Sequence, residues 1–278
     1  MATTITSFAT AITVIGQYLQ HRRQALGFSQ EMVAAGICLP ATIAQIEQGQ
    51  HVPDTILLGR LCERLRLPLE QGLGGDFPIR RLPSFSRKVH RLARQQRYAE
   101  LVTYMENPGR LQVLQTDEDL KSYYYYDGWA YYRATQDGPA ALQRIRTGLS
   151  MIMPQHPLRY RTVEVLLMAM ENYIQVASTQ QFDCAGFERT LQIIRENRLI
   201  DRNASVGVIF QQYAQLCLQL GHPQQALAIL LEGVDWATTH QAEGLLAADY
   251  YILAQVYLAL QPAIVGATTN WLSGGTEQ

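Results

Sequence analysis

Apolar residues recur at intervals of three and four along most of this chain, while the alternation that marks a half-buried strand is scarce. The helical period runs through Val14–Leu26, Ile56–Leu65, Tyr98–Met105, Val163–Val176, Ala226–Val234 and Leu245–Leu260. A chain patterned this way closes its core by packing helix on helix, so the expected fold class is all-α. Its 278 residues, 47% of them apolar, are enough for two domains. The break falls at Gly72-Leu73-Gly74-Gly75-Asp76-Phe77-Pro78, where three glycines and a proline end one helical run, and Pro83 precedes the next. The expected organisation is a first domain over residues 1–72, a linker over 73–83, a second domain over 84–261, and a tail or cap over 262–278, where the periodicity disappears after Gln261-Pro262. The glycine-rich linker is not read as a nucleotide loop, because no strand precedes it and neither Lys-Ser/Thr nor GxGxxG follows.

Several function classes find no support. The four cysteines, at 38, 62, 184 and 217, lie far apart without CxxC or Cys/His spacing, so neither a disulfide scaffold nor a metal site is expected, and no cofactor. No apolar run approaches the ~18–20 residues of a membrane span, and Met1–Gln20 has no basic residue ahead of its modest apolarity. The expected setting is the cytoplasm, with no membrane partner. The six histidines show no HExxH or i, i+4 pairing and no GxSxG accompanies them, so the chain is not expected to be an enzyme. Asp117-Glu118-Asp119, just after Thr116, reads as a helix start whose acids offset the positive end of the helix dipole.

Between Val14 and Leu73 five helices can be drawn, at about 12–26, 30–35, 41–48, 54–65 and 69–73. Gly27 ends the first, Ser29 caps the second and Gly36 makes the turn before the third. Two short helices around a glycine turn form a helix-turn-helix. Val33, Ala34, Ile37, Ile43 and Ile46 are spaced to face inward, so Pro40, Ala41, Thr42 and Gln45 of the third helix face out. The residues Arg23, Gly27-Phe28-Ser29-Gln30-Glu31, Val33-Ala34, Gly36-Ile37, Ile43, Ile46-Glu47-Gln48-Gly49 and Pro53 together resemble the five-helix, lambda-repressor-like helix-turn-helix domain of the phage-repressor and XRE type. The short Gly36-Ile37-Cys38 turn is similar to that of the PlcR-type branch of peptide-pheromone receptors.

The resemblance implies double-stranded DNA as a partner, with the third helix as reader. Gln45 suits a bidentate contact to adenine, Thr42 a base or phosphate, and Pro40 and Ala41 the methyl groups of thymine. The resemblance also implies a phosphate contact at Gln30 and a partly buried ion pair between Arg23 and Glu47. Arg22 is the remaining phosphate candidate in the head. Leu39 stands where a Ser or Thr cap is usual, partly offset by Pro40, and the reader carries no Lys or Arg. Residues 1–76 are close to neutral, whereas residues 77–100 hold seven Lys/Arg against one acid. Arg87, Arg91 and Arg94 share a helical face, which reads either as a solvated surface or as a stripe along a DNA backbone. A neutral head implies modest affinity per monomer, hence a homodimer.

Past the linker the chain repeats. Tyr213–Leu220, then Gly221 and Gln225-Ala226-Leu227, read as a helix, a glycine turn and a second helix opening on a small residue; Trp129–Tyr132 with Gly138–Leu142, and Ala254–Leu260, echo it at a spacing near 40. Alanines at 141 and 226 suit close approach of the paired helices, and the preceding glycines are expected to close the turns. This resembles a tetratricopeptide-like right-handed helical solenoid, though that family repeats at ~34. Pairs can be drawn at about 84–106, 117–152, 158–197, 202–240 and from 243 onward. The PlcR-type resemblance implies a short signalling peptide in the solenoid groove. Candidate contacts are Lys121, Tyr124, Tyr125, Asn172, Gln212, Gln215 and Tyr251, since a carboxamide can bond both C=O and N–H of a peptide backbone. The alternative is a helical-repeat adaptor that binds a partner protein without specific DNA binding.

Overall fold

The structure, a computed structural model, describes residues 13, 16–51, 53–65, 83–112, 114, 116–152, 159–181, 183, 185–201, 203–242, 245–246 and 248–260. The expected helix at 69–73, all of the 73–83 linker except Pro83, and the 262–278 tail lie outside them. Among the described residues the chain is helical without strands, apart from one isolated bridge between Tyr160 and Leu199. Contacts divide it into two units, one of residues 1–69 with 221–278 and one of residues 70–220.

The head holds α1 (residues 16–25), α2 (Gln30–Ala34), α3 (Pro40–Glu47) and α4 (Thr55–Arg64). The Ser29 hydroxyl accepts from the Met32 amide at 3.2 Å and the Asp54 carboxylate from the Leu57 amide at 2.7 Å, so α2 and α4 each start on a side-chain cap. Gly36, at φ +72°, turns the chain between α2 and α3 in a conformation that other residues resist. Leu39 precedes α3 without a capping bond, and Pro40 opens the helix. Leu19, Val33, Ala34, Ile43, Ile46, Leu58, Leu61 and Leu65 are buried. Ile37, expected inward, is only half-buried because it sits in the turn.

The repeat unit runs α5 (Pro83–Arg94), α6 (Tyr98–Met105), α7 (Pro108–Leu111), α8 (Asp117–Thr135), α9 (Gly138–Leu149), α10 (Thr162–Thr179), α11 (Ala185–Arg195), a 3-10 turn (Ala204–Gly207) and α12 (Val208–Gln219). Then α13 (Pro223–Thr239) and α14 (residues 248–260) return to the unit that contains the head, where the rings of Tyr18 and Tyr250 lie 4.9 Å apart. Thr116 caps α8 through the Asp119 amide. Of the tyrosine run that follows, Tyr123, Tyr125 and Tyr126 are buried and Tyr124 half-buried; the Tyr123 hydroxyl donates to the Met105 carbonyl and fastens α8 to α6.

Close helix crossings hold the pairs together. Ala141 and Ala226 are wholly buried. A Cβ on Gly128 of α8 would meet the Ile145 side chain of α9 at 2.5 Å. One turn is built differently from the sequence expectation. The left-handed residue between α8 and α9 is Gln136, at φ +58°, and not Gly138. Gly138 lies inside α9, where its missing Cβ makes room for Ser178 of α10. The equivalent position at Gly221 does carry a positive φ, +81°. Between α10 and α11, Thr162 donates through its amide and hydroxyl to the Asp201 carboxylate at 2.7 and 2.9 Å, tying the start of α10 to the segment after α11.

Because Ile145 is wholly buried, Gly128→Val should overpack the α8–α9 crossing and cost about 1–3 kcal/mol. Urea melts of wild type and variant measure it, and an unchanged midpoint would refute the tight crossing.

Candidate DNA-reading face and repeat cleft

In the head, Arg23 of α1 meets Glu47 of α3 as a two-pronged pair, Nε to Oε1 at 2.6 Å and Nη2 to Oε2 at 2.8 Å. The pair is nearly closed to solvent, with side chains 12% and 2% exposed. Arg23 Nη1 also donates to the Phe28 carbonyl at 2.9 Å, and Gln30 Nε2 to Glu47 Oε2 at 2.9 Å. One carboxylate therefore gathers α1, the α1–α2 turn, α2 and α3. The bond to Glu47, opposed by burial, holds the Arg23 guanidinium above its ordinary value, so it stays charged.

This network fixes which side of α3 looks outward. Ile43 and Ile46 go into the core, leaving Pro40, Ala41 and Gln45 exposed and Thr42 half-buried. Leu39, 72% exposed, extends the apolar tip. The face offers one hydroxyl, one carboxamide and a patch of carbon, and no charge. Nearby cations are spent inside the head. Arg22, half-buried, donates from Nε to the Leu65 carbonyl at 3.3 Å, and Arg64 donates to the carbonyls of Met32 and Ala35 at 2.8 and 2.9 Å. Arg22 and Gln30, both candidates for phosphate, are thus turned toward head partners here.

The repeat unit contains a small, partly open cleft of about 30 Å³ between α8, α10 and α12. Trp129 and Arg133 line it from α8, Met170 and Tyr173 from α10, and Gln211, Gln212 and Gln215, with Val208, from α12. Gln212 lies near the Tyr125 hydroxyl, and burial pushes that hydroxyl well above its usual value. The Gln212 Oε1 atom is buried with no partner among the described residues.

Of the seven peptide candidates, the cleft gathers Gln212 and Gln215. Lys121 is elsewhere, in a buried pair with Glu164 Oε1 at 2.6 Å, while Glu164 Oε2 accepts the Arg161 amide at 2.9 Å. Tyr125 is buried beneath the surface, and Tyr124 packs its Cβ against Gly148 of α9. The Asn172 amide bonds the Met168 carbonyl at 2.8 Å and its side chain lies over Gly186 of α11, on the far side of α10 from the cleft. Tyr251 is half-buried on α14, in the other unit. Sequence reasoning missed Trp129, Arg133, Met170 and Tyr173. The signal was there: pairs at i, i+4 on α8 and i, i+3 on α10 occupy one stripe of each first helix.

A helix-turn-helix family model matches residues 19–71. Among solved structures, that of Bacillus thuringiensis PlcR in complex with the peptide PapR7 and DNA aligns over 95% of this chain and 99% of that one, with a TM-score of 0.50 and 16% identity. The fold is PlcR-like: a helix-turn-helix head followed by helical repeats. Apo ComR from S. thermophilus aligns over 93% of this chain and 94% of its own, with a TM-score of 0.42 and 13% identity. The apo competence regulator ComR from Streptococcus vestibularis aligns over 91% and 98%, with 0.36 and 12%. No curated protein matches the sequence significantly. At such identities the PlcR likeness is one of fold. Among the described residues no helix is long and apolar enough to cross a membrane, and no group of acids, histidines and cysteines is placed to hold a metal ion.

Two substitutions test the buried pairs of this PlcR-like chain. Arg23→Ala strands the Glu47 charge and should cost the head about 3–5 kcal/mol, read by urea denaturation. Lys121→Met should cost a similar ~3–5 kcal/mol, and the double change Lys121→Met/Glu164→Leu should recover most of it; a double variant no more stable than the single one would show that the pair is not the source.

Proposed function

We propose that this protein is a cytoplasmic, homodimeric transcription regulator whose DNA affinity is set by a short signalling peptide bound in the α8–α10–α12 cleft. DNA binding falls to residues 1–72, the 73–83 segment is the linker, and residues 84–261 sense the peptide and support dimerisation, with 262–278 as a cap or tail. The observation that carries the reading is the pairing, in one PlcR-like chain, of an outward α3 face bearing Thr42 and Gln45 with a cleft lined by carboxamides and aromatic rings. Gln45 reads an adenine edge, Thr42 a base or phosphate, and Pro40 and Ala41 meet thymine methyls. Gln212 and Gln215 bond the backbone of an extended peptide. PlcR was itself solved with the peptide PapR7 and DNA, which supports the same pair of partners here.

The adaptor reading has one observation in its favour. Arg22, Arg23 and Arg64 are all engaged inside the head and α3 carries no cation, so the electrostatic grip on phosphate is slight. In that reading the repeats bind a partner protein and the head does not select a DNA sequence.

Gel-shift titration on the DNA upstream of the protein's own gene separates the two. The regulator binds a specific fragment, more tightly as salt falls, and Gln45→Ala weakens specific binding by about 1–3 kcal/mol while leaving nonspecific binding unchanged. Binding that never exceeds a scrambled fragment, with or without peptide extracts from spent medium, refutes it.

A further inference from the structure

Among the described residues Arg133 is the only cation lining the cleft, and no acid lines it. Its neighbours in the repeat unit are neutralised. Arg144 pairs with Asp127 at 3.1 Å, Arg146 with Glu171 at 2.7 Å, Arg161 with Glu118 at 3.2 Å and Lys121 with Glu164 at 2.6 Å. Arg133 has no carboxylate partner among the described residues. Its guanidinium lies over the Tyr98 ring, 5.2 Å from the centroid, and near the Tyr173 hydroxyl. A guanidinium stacked on a ring keeps N–H groups free at its edge, the geometry that grips a carboxylate with two parallel bonds. The half-buried stem is held in place by aromatic contacts, so little side-chain freedom is lost on binding.

Gln212 supplies the complementary need. Its Oε1 atom is buried and unpartnered, an acceptor that lacks an N–H. Trp129 and Met170 give the cleft its apolar surface. A fixed cation, an orphaned acceptor, a second carboxamide at Gln215 and an apolar wall describe a ligand with a carboxylate, backbone N–H groups and a hydrophobic side chain.

We infer that Arg133 is the specificity-determining residue of the cleft, and that the ligand is a peptide presenting a carboxylate to its guanidinium while Gln212 accepts from the peptide backbone. This rests on the peptide reading of the cleft and adds the charge that the peptide must carry. The carboxylate comes either from the peptide's C-terminus or from an Asp or Glu side chain.

Two synthetic random heptapeptide libraries, one with free C-termini and one amidated, are passed over immobilised full-length protein, and retained peptides are sequenced by mass spectrometry. Wild type should retain carboxylate-bearing peptides at least about tenfold over input, the ratio that one charged hydrogen-bonded contact supplies. Retention confined to free C-termini assigns the carboxylate to the chain end. Enrichment of Asp or Glu at one position of the amidated library assigns it to a side chain. Arg133→Met and Arg133→Gln should abolish the preference for a carboxylate, and circular dichroism checks that both variants remain folded.

Peptides retained by wild type with no preference for a carboxylate overturn the inference and leave the peptide reading standing, a result that does not depend on either variant folding. So does a preference that survives in a folded Arg133→Met. Failure of wild type to retain any peptide from either library sinks the peptide reading itself, and the inference with it.

Discussion

A single carboxylate decides how α3 is presented. Glu47 accepts from two nitrogens of Arg23 and from the Gln30 amide, and Arg23 reaches on to the Phe28 carbonyl, so four segments of the head converge on one buried acid. Short helices such as α2, with five residues, and α3, with eight, have little stability of their own. Their orientation must come from tertiary contacts, and apolar packing alone tolerates small rotations. A two-pronged ion pair does not, because rotating α3 breaks both bonds and leaves a charge in the core. The outward positions of Gln45 and Thr42 follow from that constraint.

The repeat unit uses the same device between nonadjacent segments. Lys121 and Glu164 join α8 to α10, and Glu164 also receives the amide that starts α10, so the pair sets the axial position of one helix against the other. Gly138 and Gly128 then allow the closest approaches, and Thr162 with Asp201 fixes the next segment. With α8 and α10 locked in register, residues at the same helical phase form one wall. The cleft is the consequence: Trp129 and Arg133 stand level with Met170 and Tyr173 because the helices beneath them cannot slide.

Much of this was legible in the sequence. The 3.6-residue period gave the helices, and Ser29, Gly36, Pro40 and Thr116 marked their ends through capping and turn chemistry that acts locally. Phase was harder to read. Asn172 and Tyr173 are neighbours in sequence, yet one residue rotates a helix by about 100°, enough to turn Asn172 onto Gly186 and Tyr173 into the cleft. In α10 apolar residues fall on more than one face, so the pattern does not single out the stripe that faces the open side. Gln136 took the left-handed position where a glycine was expected because that cost is small enough for tertiary packing to absorb, whereas the missing Cβ of Gly138 was needed for Ser178. The partners of Arg22, Gln30 and Lys121 depend on atoms 43, 17 and 43 residues away, beyond the reach of any local pattern.

The distribution of charge bears on how the proposed regulator is switched. With Arg22, Arg23 and Arg64 engaged internally, the head brings little long-range attraction to DNA, so in the proposed regulator the balance between bound and free is set by how the reading face is held. A ligand shifts that balance only by its difference in affinity for the two arrangements. The glutamines of the cleft lie on α12, the last helix of the repeat unit, and the chain passes at Gly221 directly into the unit that contains the head. A ligand that draws on Gln211, Gln212 and Gln215 would bear on the helix that ends at one of the two places, 69/70 and 220/221, where the chain passes between the units.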